Sequence, residues 1–158
     1  MPCTESIEES ARALLAPTAR VAIKRRMPGT DVTKSRPSAP VLIVEDDPDQ
    51  REAITLALQS EGYSVVTAGS GVEALETLDA GTKPCMILLD LMMPEMDGIQ
   101  FRREQLKSDA FAEIPVVVVS AFGQMTRAKY LQVADYLRKP LDLDQLLAVI
   151  ERVAQPDR

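Results

Sequence analysis

The sequence predicts an α/β fold in which one domain holds a doubly wound, five-stranded parallel sheet. Strand-like apolar runs alternate five times with amphipathic, helix-like segments, the pattern of a parallel sheet with helices on both faces. The chain has 158 residues, a length that suits a single domain with some additional chain. Its hydrophobic fraction of 46% allows a sizeable core, and with only 4% aromatic residues that core must be aliphatic.

The strands are expected where short apolar runs end in polar or turn-forming residues. The best-bounded run lies between Pro84 and Pro94 and ends on Asp90. In chain order, the strands are expected at residues 41–44, 63–67, 85–90, 114–120 and within 131–137.

The predicted helices begin with capping pairs, in which an N-cap side chain accepts a hydrogen bond from the residue three positions later. The pairs are Asp47 with Gln50, Ser70 with Glu73, Asp97 with Gln100, and Asp142 with Gln145. The side chains expected on the buried faces of these helices are, in order, Ile54, Ala57 and Leu58; Val72, Leu75 and Leu78; Ile99, Phe101 and Leu106; and Leu143, Leu146, Leu147, Ile150 and Val153.

Residues 1–39 are predicted to form an N-terminal extension, and residues 40–154 the folded domain. A short helix is expected at 6–16, followed by a basic patch and a linker rich in Pro, Gly, Ser and Thr. The extension has seven basic against four acidic residues, whereas residues 40–158 have eleven against twenty. Three interpretations stay open: a docking or localisation segment, a flexible tail, or an upstream start codon with Met27 as the true beginning.

Composition excludes several kinds of site. The chain has no His, so His metal sites, His general bases and a phosphohistidine carrier are excluded. The acidic domain argues against direct DNA binding, because phosphate recognition needs basic surface. Cys3 and Cys85 form no disulfide framework. With no secretory signal and no apolar run near the about 18 residues of a membrane span, the cytoplasm is the expected location.

Polar residues stand at or just after four of the predicted strand ends. They are Glu45 and Asp46, Asp90, Ser120, and Lys139. Because the carboxyl ends of parallel strands lie on one edge of a sheet, these side chains should converge. Three gathered carboxylates need a cation or acquire raised pKa values, and an all-oxygen ligand set fits Mg²⁺.

With Mg²⁺ in place, Asp90 becomes a plausible nucleophile toward phosphorus, giving an aspartyl phosphate. Lys139 and the cation would neutralise the phosphoryl oxygens, and Ser120 could donate a hydrogen bond to one of them. Taken singly, Asp90 and Ser120 could be caps and Lys139 a solvated side chain. The group of five at strand ends favours the phosphoryl site.

Four segments, VLIVEDDPDQR, ILLDLMMPEMDG, VVVVSAF and YLRKPLD, resemble the receiver domain of bacterial two-component response regulators. The resemblance covers residues 40–154 and implies a flavodoxin-like fold with strand order 2-1-3-4-5. It implies that Asp90 is the phosphoacceptor and that the domain catalyses only its own phosphorylation and dephosphorylation. The other roles that it implies are Mg²⁺ binding by Glu45, Asp46, Asp90 and the carbonyl of Met92, phosphate contacts by Ser120 and Lys139, and switching by Ser120 and Tyr136.

The implied partners are a sensor histidine kinase or histidine phosphotransferase and a downstream target protein, with a homodimer as a further possible assembly. Because only residues 154–158 follow the last helix, a stand-alone receiver that signals through protein contacts is expected. Two other functions stay open: a pseudo-receiver that binds partners without phosphorylation, and a Mg²⁺-dependent phosphatase. The phosphatase is disfavoured because Met92 stands where such enzymes carry a second carboxylate.

Two positions depart from the receiver pattern. Glu45 stands where Asp is commoner, which lengthens one ligand arm. Ser120 and Lys139 are nineteen positions apart, about three fewer than expected, or close to one helical turn. The missing turn is expected in the fourth helix or its loop, which puts the usual output face in doubt.

Overall fold

The computed structural model describes residues 36–121 and 123–154, and these form a five-stranded parallel sheet with helices on both faces. The strand order is β2-β1-β3-β4-β5, as expected. The strands are β1 (Val41–Val44), β2 (Val65–Ala68), β3 (Met86–Asp90), β4 (Val116–Ser120) and β5 (Asp135–Arg138). The helix expected at 6–16 lies outside the described residues.

Five helices connect or follow the strands: α1 (Pro48–Ser60), α2 (Gly71–Asp79), α3 (Gly98–Leu106), α4 (Met125–Ala128) and α5 (Leu143–Val153). Each predicted N-cap side chain accepts a hydrogen bond from the first turn of its helix. At the start of α2, Ser70 accepts a hydrogen bond from the N–H of Glu73, as in a capping box. The Glu73 side chain, however, accepts from the N–H of Gly69 and not from that of Ser70. Helix α4 has only four residues, which agrees with the prediction that about one helical turn is missing between Ser120 and Lys139.

The core consists of two mainly aliphatic layers, one on each side of the sheet. Alternate strand residues face opposite layers, so that Ile43 packs with α1 and α5 while Leu42 packs with α2 and α3. The three central strands β1, β3 and β4 are buried along their whole length. Strands covered on both faces cannot alternate polar and apolar residues, which explains their unbroken apolar runs.

Several predicted boundaries are wrong by one or two residues. Strand β2 begins at Val65 rather than at residue 63, and β5 extends to Arg138. Strand β4 begins at Val116 rather than at residue 114, because Pro115 lacks the N–H that a ladder requires.

Two helix residues expected in the core are exposed instead. Val72 is 41% exposed, and Ala74 takes the inward position on α2. On α3, Leu106 is 38% exposed, while Gln105 is fully buried and donates to the carbonyls of Phe111 and Ile114. A hydrophobic pattern could not have found a buried amide that is satisfied by a distant loop.

Within residues 36–121 and 123–154, no helix is both long enough and apolar enough to cross a bilayer.

Candidate functional site

The carboxyl ends of β1 and β3 bring three carboxylates together. Val44 is paired with Leu89, so Glu45 and Asp90 follow at the same level of neighbouring strands. One oxygen each of Glu45, Asp46 and Asp90 lies within 4.8 Å of the others. Glu45 and Asp90 are only 3% and 5% exposed. The predicted convergence of these acidic residues is present in the structure.

Lys139 reaches into this cluster from the residue after β5. Its Nζ donates to Glu45 Oε2 at 3.0 Å, to Gln50 Oε1 at 3.0 Å and to Asp90 Oδ2 at 3.3 Å. The three protons of the ammonium group therefore have three acceptors. Its backbone N–H donates to the carbonyl of Ser120, which ties the Lys139 segment to the end of β4.

The electrostatics of the cluster are those of a site with surplus negative charge. Burial, together with the nearby charge of Asp90, raises the pKa of Glu45 from 4.5 to about 7, although Lys139 opposes the shift. Burial by itself lowers the pKa of Lys139, but Asp90 and Glu45 outweigh that effect and the net pKa is raised. One ammonium group is thus held firmly in its charged form, yet it does not fully compensate its carboxylate partners.

The loop that follows β3 also positions the Asp90 side chain. Its Oδ1 accepts a hydrogen bond from the N–H of Met92 at 3.2 Å. The N-terminus of α3 lies against the same backbone, where Gly98 donates to the carbonyl of Leu91. A Cβ on Gly98 would lie 2.5 Å from the Asp90 carbonyl oxygen, so the absence of a side chain is what permits this approach.

Ser120 ends β4 with a buried hydroxyl. The residue is 1% exposed, and its Oγ has no hydrogen-bond partner among the described residues. Val119 is paired with Asp90, so Ser120 lies one residue beyond it along the edge that carries the carboxylates. A buried hydroxyl without a partner costs free energy, and such groups are rare unless a ligand or a second state satisfies them.

Tyr136 lies on β5 next to β4 and is half-buried. Its hydroxyl donates to the carbonyl of Ala128 at 2.8 Å, the last residue of α4. The aromatic ring is therefore tied to the connection between β4 and β5 and does not belong to the carboxylate cluster.

The comparison with known families rests on nearly the whole described region. The family model of the response regulator receiver domain matches residues 41–151. The chain belongs to the response regulator receiver domain family.

Curated relatives and solved structures agree with this assignment. The receiver is 40% identical over 123 residues to "Response regulator MprA" of Mycobacterium leprae, a match that covers 74% of this chain and 53% of that protein. It is 39% identical over 120 residues to "Transcriptional regulatory protein GlrR" of Escherichia coli K12, covering 74% of this chain and 26% of the relative. The crystal structure of a response regulator receiver protein from Pseudomonas putida is similar with a TM-score of 0.68 and 32% identity, covering 75% of this chain and 98% of that one.

The receiver thus spans about half or less of these curated relatives. The expectation of a stand-alone receiver remains a prediction that the longer relatives do not support.

The donor set of the receiver site fits Mg²⁺. Glu45, Asp46 and Asp90 provide carboxylate oxygens and no nitrogen or sulfur ligand lies among them, which is the chemistry of a hard cation. The cluster carries surplus negative charge, and burial together with the charge of Asp90 raises the pKa of Glu45. A divalent cation bound there would offset this charge. Met92 contacts Asp90 through its N–H, and the metal-binding role of its carbonyl stays a prediction.

Two residues of this site were not found from sequence. Gln50 was interpreted only as a capping partner, but its amide also accepts from Lys139 while it donates to Asp47. No site role was predicted for Gly98, because its close approach to Asp90 depends on the path of the loop. No local pattern distinguishes either role, since both partners are set by tertiary packing.

Proposed function

We propose that Asp90 accepts a phosphoryl group from a phosphohistidine in a reaction that requires Mg²⁺, and that this event switches protein–protein contacts. The observation that carries the proposal is the surroundings of Asp90. A buried carboxylate lies 3.3 Å from the ammonium group of Lys139, within a cluster of three carboxylates and on the sheet edge where Ser120 has an unpartnered hydroxyl.

An oxygen of the Asp90 carboxylate attacks phosphorus, and the bond between phosphorus and the imidazole nitrogen of the donor breaks. The electron pair of that bond stays on the nitrogen, which takes a proton from solvent. Lys139, already bonded to Asp90, neutralises charge on the phosphoryl oxygens.

Glu45, Asp46 and Asp90 are the side chains that would hold Mg²⁺, with the carbonyl of Met92 as a further predicted donor. When bound, the ion supplies positive charge that offsets the carboxylates and orients the phosphoryl oxygens.

Ser120 and Tyr136 supply a candidate two-state element. A phosphoryl oxygen would give the Ser120 hydroxyl the partner that it lacks, so the phosphorylated protein would favour a Ser120 position closer to Asp90. Tyr136 is anchored to the carbonyl of Ala128 by its hydroxyl, so turning inward would break that bond and release the end of α4. The change would reach partners through the connection between β4 and β5.

The expected partners are a histidine kinase or phosphotransferase and a downstream target, in the cytoplasm. The names of the relatives, a response regulator and a transcriptional regulatory protein, support a signalling role. The acidic balance of residues 40–158 favours protein rather than DNA as the direct contact of this domain.

Intact-mass spectrometry after incubation with phosphoramidate, which carries a phosphorus–nitrogen bond, tests the proposal. We expect one added phosphoryl group in the presence of Mg²⁺, none with a chelator and none in Asp90→Asn. The matched control is Asp79→Asn, a change at the exposed end of α2 that should leave phosphorylation intact. Continuous phosphate release from small phosphoesters would favour a phosphatase, and no adduct under any condition would favour a pseudo-receiver.

A further inference from the structure

A groove outside the carboxylate cluster lies between α3 and the chain that follows α4. It has a volume of about 730 Å³ and is partly open to solvent. Its lining residues are Asp97, Ile99, Gln100, Arg103, Leu106, Arg127, Tyr130, Leu131 and Gln132. None of them belongs to the proposed phosphorylation site.

The groove is open because α4 is short. Four residues of helix span about 6 Å, which is too little to cover the outer side of the nine-residue α3. Leu106 at the end of α3 is consequently 38% exposed, although the sequence pattern places it in the core. The groove therefore lies beside the shortened connection between β4 and β5.

The groove combines apolar side chains with one very exposed aromatic ring. Tyr130 is 91% exposed, and Ile99 and Leu131 are half-buried beside it. Tyrosine offers a large contact area at a low cost in side-chain entropy, and it is enriched where proteins bind one another. An aromatic ring exposed in this way gains most when a partner covers it.

The charge of the groove is opposite to that of the domain. Arg103 and Arg127 line it, both are exposed, and neither forms an ion pair with any described residue. The one carboxylate in the lining, Asp97, is already engaged as the N-cap of α3. Residues 40–158 carry twenty acidic against eleven basic residues, so two arginines in one groove that form no ion pair with residues 36–121 or 123–154 are unusual for this domain.

We propose that this α3–α4 groove binds an acidic amphipathic helix of a partner protein. Apolar residues at i, i+3, i+4 and i+7 of that helix pack on Tyr130 and Leu106, and flanking carboxylates pair with Arg103 and Arg127. The chain's own residues 1–39 are positively charged overall like the groove, but the helix expected at 6–16 carries Glu8 and Glu9 against Arg12. The proposal names the chemistry of one partner of the proposed signalling function, but binding here does not require phosphorylation of Asp90.

Three synthetic helical peptides of about 16 residues test the proposal by fluorescence anisotropy with the full chain. All carry leucine at the same amphipathic positions, and their remaining positions are mainly glutamate, glutamine or lysine. We expect the glutamate peptide to bind best and to weaken as salt increases. The double variant Arg103→Glu with Arg127→Glu should bind the glutamate peptide about tenfold or more weakly than the native chain. Lys83→Glu, an exposed change outside the groove, should leave this affinity unchanged.

The lysine peptide provides the decisive control for charge. It should bind the Arg103→Glu, Arg127→Glu variant better than it binds the native chain, which would also show that the variant is folded. Tyr130→Ala should lower the affinity for the glutamate peptide, and the salt dependence of that binding should stay the same. Repeating the titration with Asp90→Asn separates this proposal from the phosphorylation chemistry, since groove binding should persist there.

Other outcomes overturn the proposal. Equal binding of all three peptides would mean apolar adhesion without charge recognition. Absence of binding at millimolar peptide, or affinities unchanged by the groove variants, would place any partner elsewhere. Self-association of the native chain that the double variant abolishes would make a second copy the occupant. If Glu8→Lys with Glu9→Lys in the full chain tightened binding of the glutamate peptide, the 6–16 segment and not a partner protein would be the occupant.

Discussion

The raised pKa of Glu45 predicts an unusual dependence of stability on pH. Glu45 holds its proton up to about pH 7 in the folded protein, against 4.5 for an ordinary glutamate. Between these values the folded state binds more protons than the unfolded state, so stability falls as pH rises and levels off above pH 7. At 1.4 kcal/mol per pKa unit, the metal-free protein should lose roughly 2–3 kcal/mol of unfolding free energy between pH 5 and pH 8.

This chain is well suited to the measurement because it contains no His. The other described groups with resolved pKa shifts do not titrate in this window. Against the effect of burial, Asp90 and Glu45 raise the pKa of Lys139 from 10.5, and Arg102, whose pKa is lowered by burial, keeps its charge because a guanidinium does not lose its proton in proteins. Burial raises the pKa values of Tyr63 and Cys85, which start at 10.0 and 9.0. Hydrogen bonding from the first turn of α1 lowers that of Asp47, whose effect appears only in acid.

The assay is urea unfolding followed by circular dichroism in the presence of a chelator, at half-unit pH steps. Glu45→Gln should flatten the profile between pH 5 and pH 8, while Glu52→Gln, an exposed change on α1, should leave the native slope. Added Mg²⁺ should restore stability at pH 8 in the native chain, because a ligand that binds only the folded state stabilises it. A native profile that is flat or rises with pH would refute the reasoning.

Three further substitutions probe the geometry around the site. Gly98→Ala should cost roughly 1–3 kcal/mol of stability in thermal melts, because its Cβ would clash with the Asp90 carbonyl oxygen; an unchanged melting temperature would contradict the close approach. Gln50→Leu removes an acceptor from the ammonium group of Lys139 and should cost about 1–3 kcal/mol in urea unfolding, whereas equal stability would mean that water replaces the amide. Tyr136→Phe deletes the hydroxyl bond to the end of α4 and should speed hydrogen exchange in residues 125–131; unchanged exchange there would show that the bond does not hold this connection.

The fold could be predicted from the sequence because the patterns that indicate its strands and helices are local. A buried parallel strand shows as a short apolar run, and a helix start shows as a side-chain cap with its partner three residues later. Both patterns depend on neighbours within a few residues. The error on α3 arose because Gln105 is satisfied by a loop outside its helix. The error in β4 was local, since Pro115 within the predicted run lacks the N–H that a ladder requires.

The residues at strand ends could be predicted only in part from the sequence. Parallel topology alone implies that Glu45, Asp90, Ser120 and Lys139 share one edge, so their convergence followed from the pattern of strands. The chemistry of this residue set predicted a Mg²⁺-dependent phosphoryl site, and the resemblance to receivers added the Met92 carbonyl as a ligand and Tyr136 as a switch residue. The distances, and the unpartnered state of the Ser120 hydroxyl, required the structure.

By itself, the sequence determined the five strands, the four capped helices, and the edge at which the acidic residues meet. Only the tertiary structure decided that Lys139 bonds to Glu45 across 94 positions, that Gln50 joins them, and that a four-residue α4 leaves a groove beside α3. The physical reason is range. Hydrogen bonds of turns and caps close within a few residues, whereas a buried charge cluster and an uncovered surface depend on how distant segments pack against one sheet.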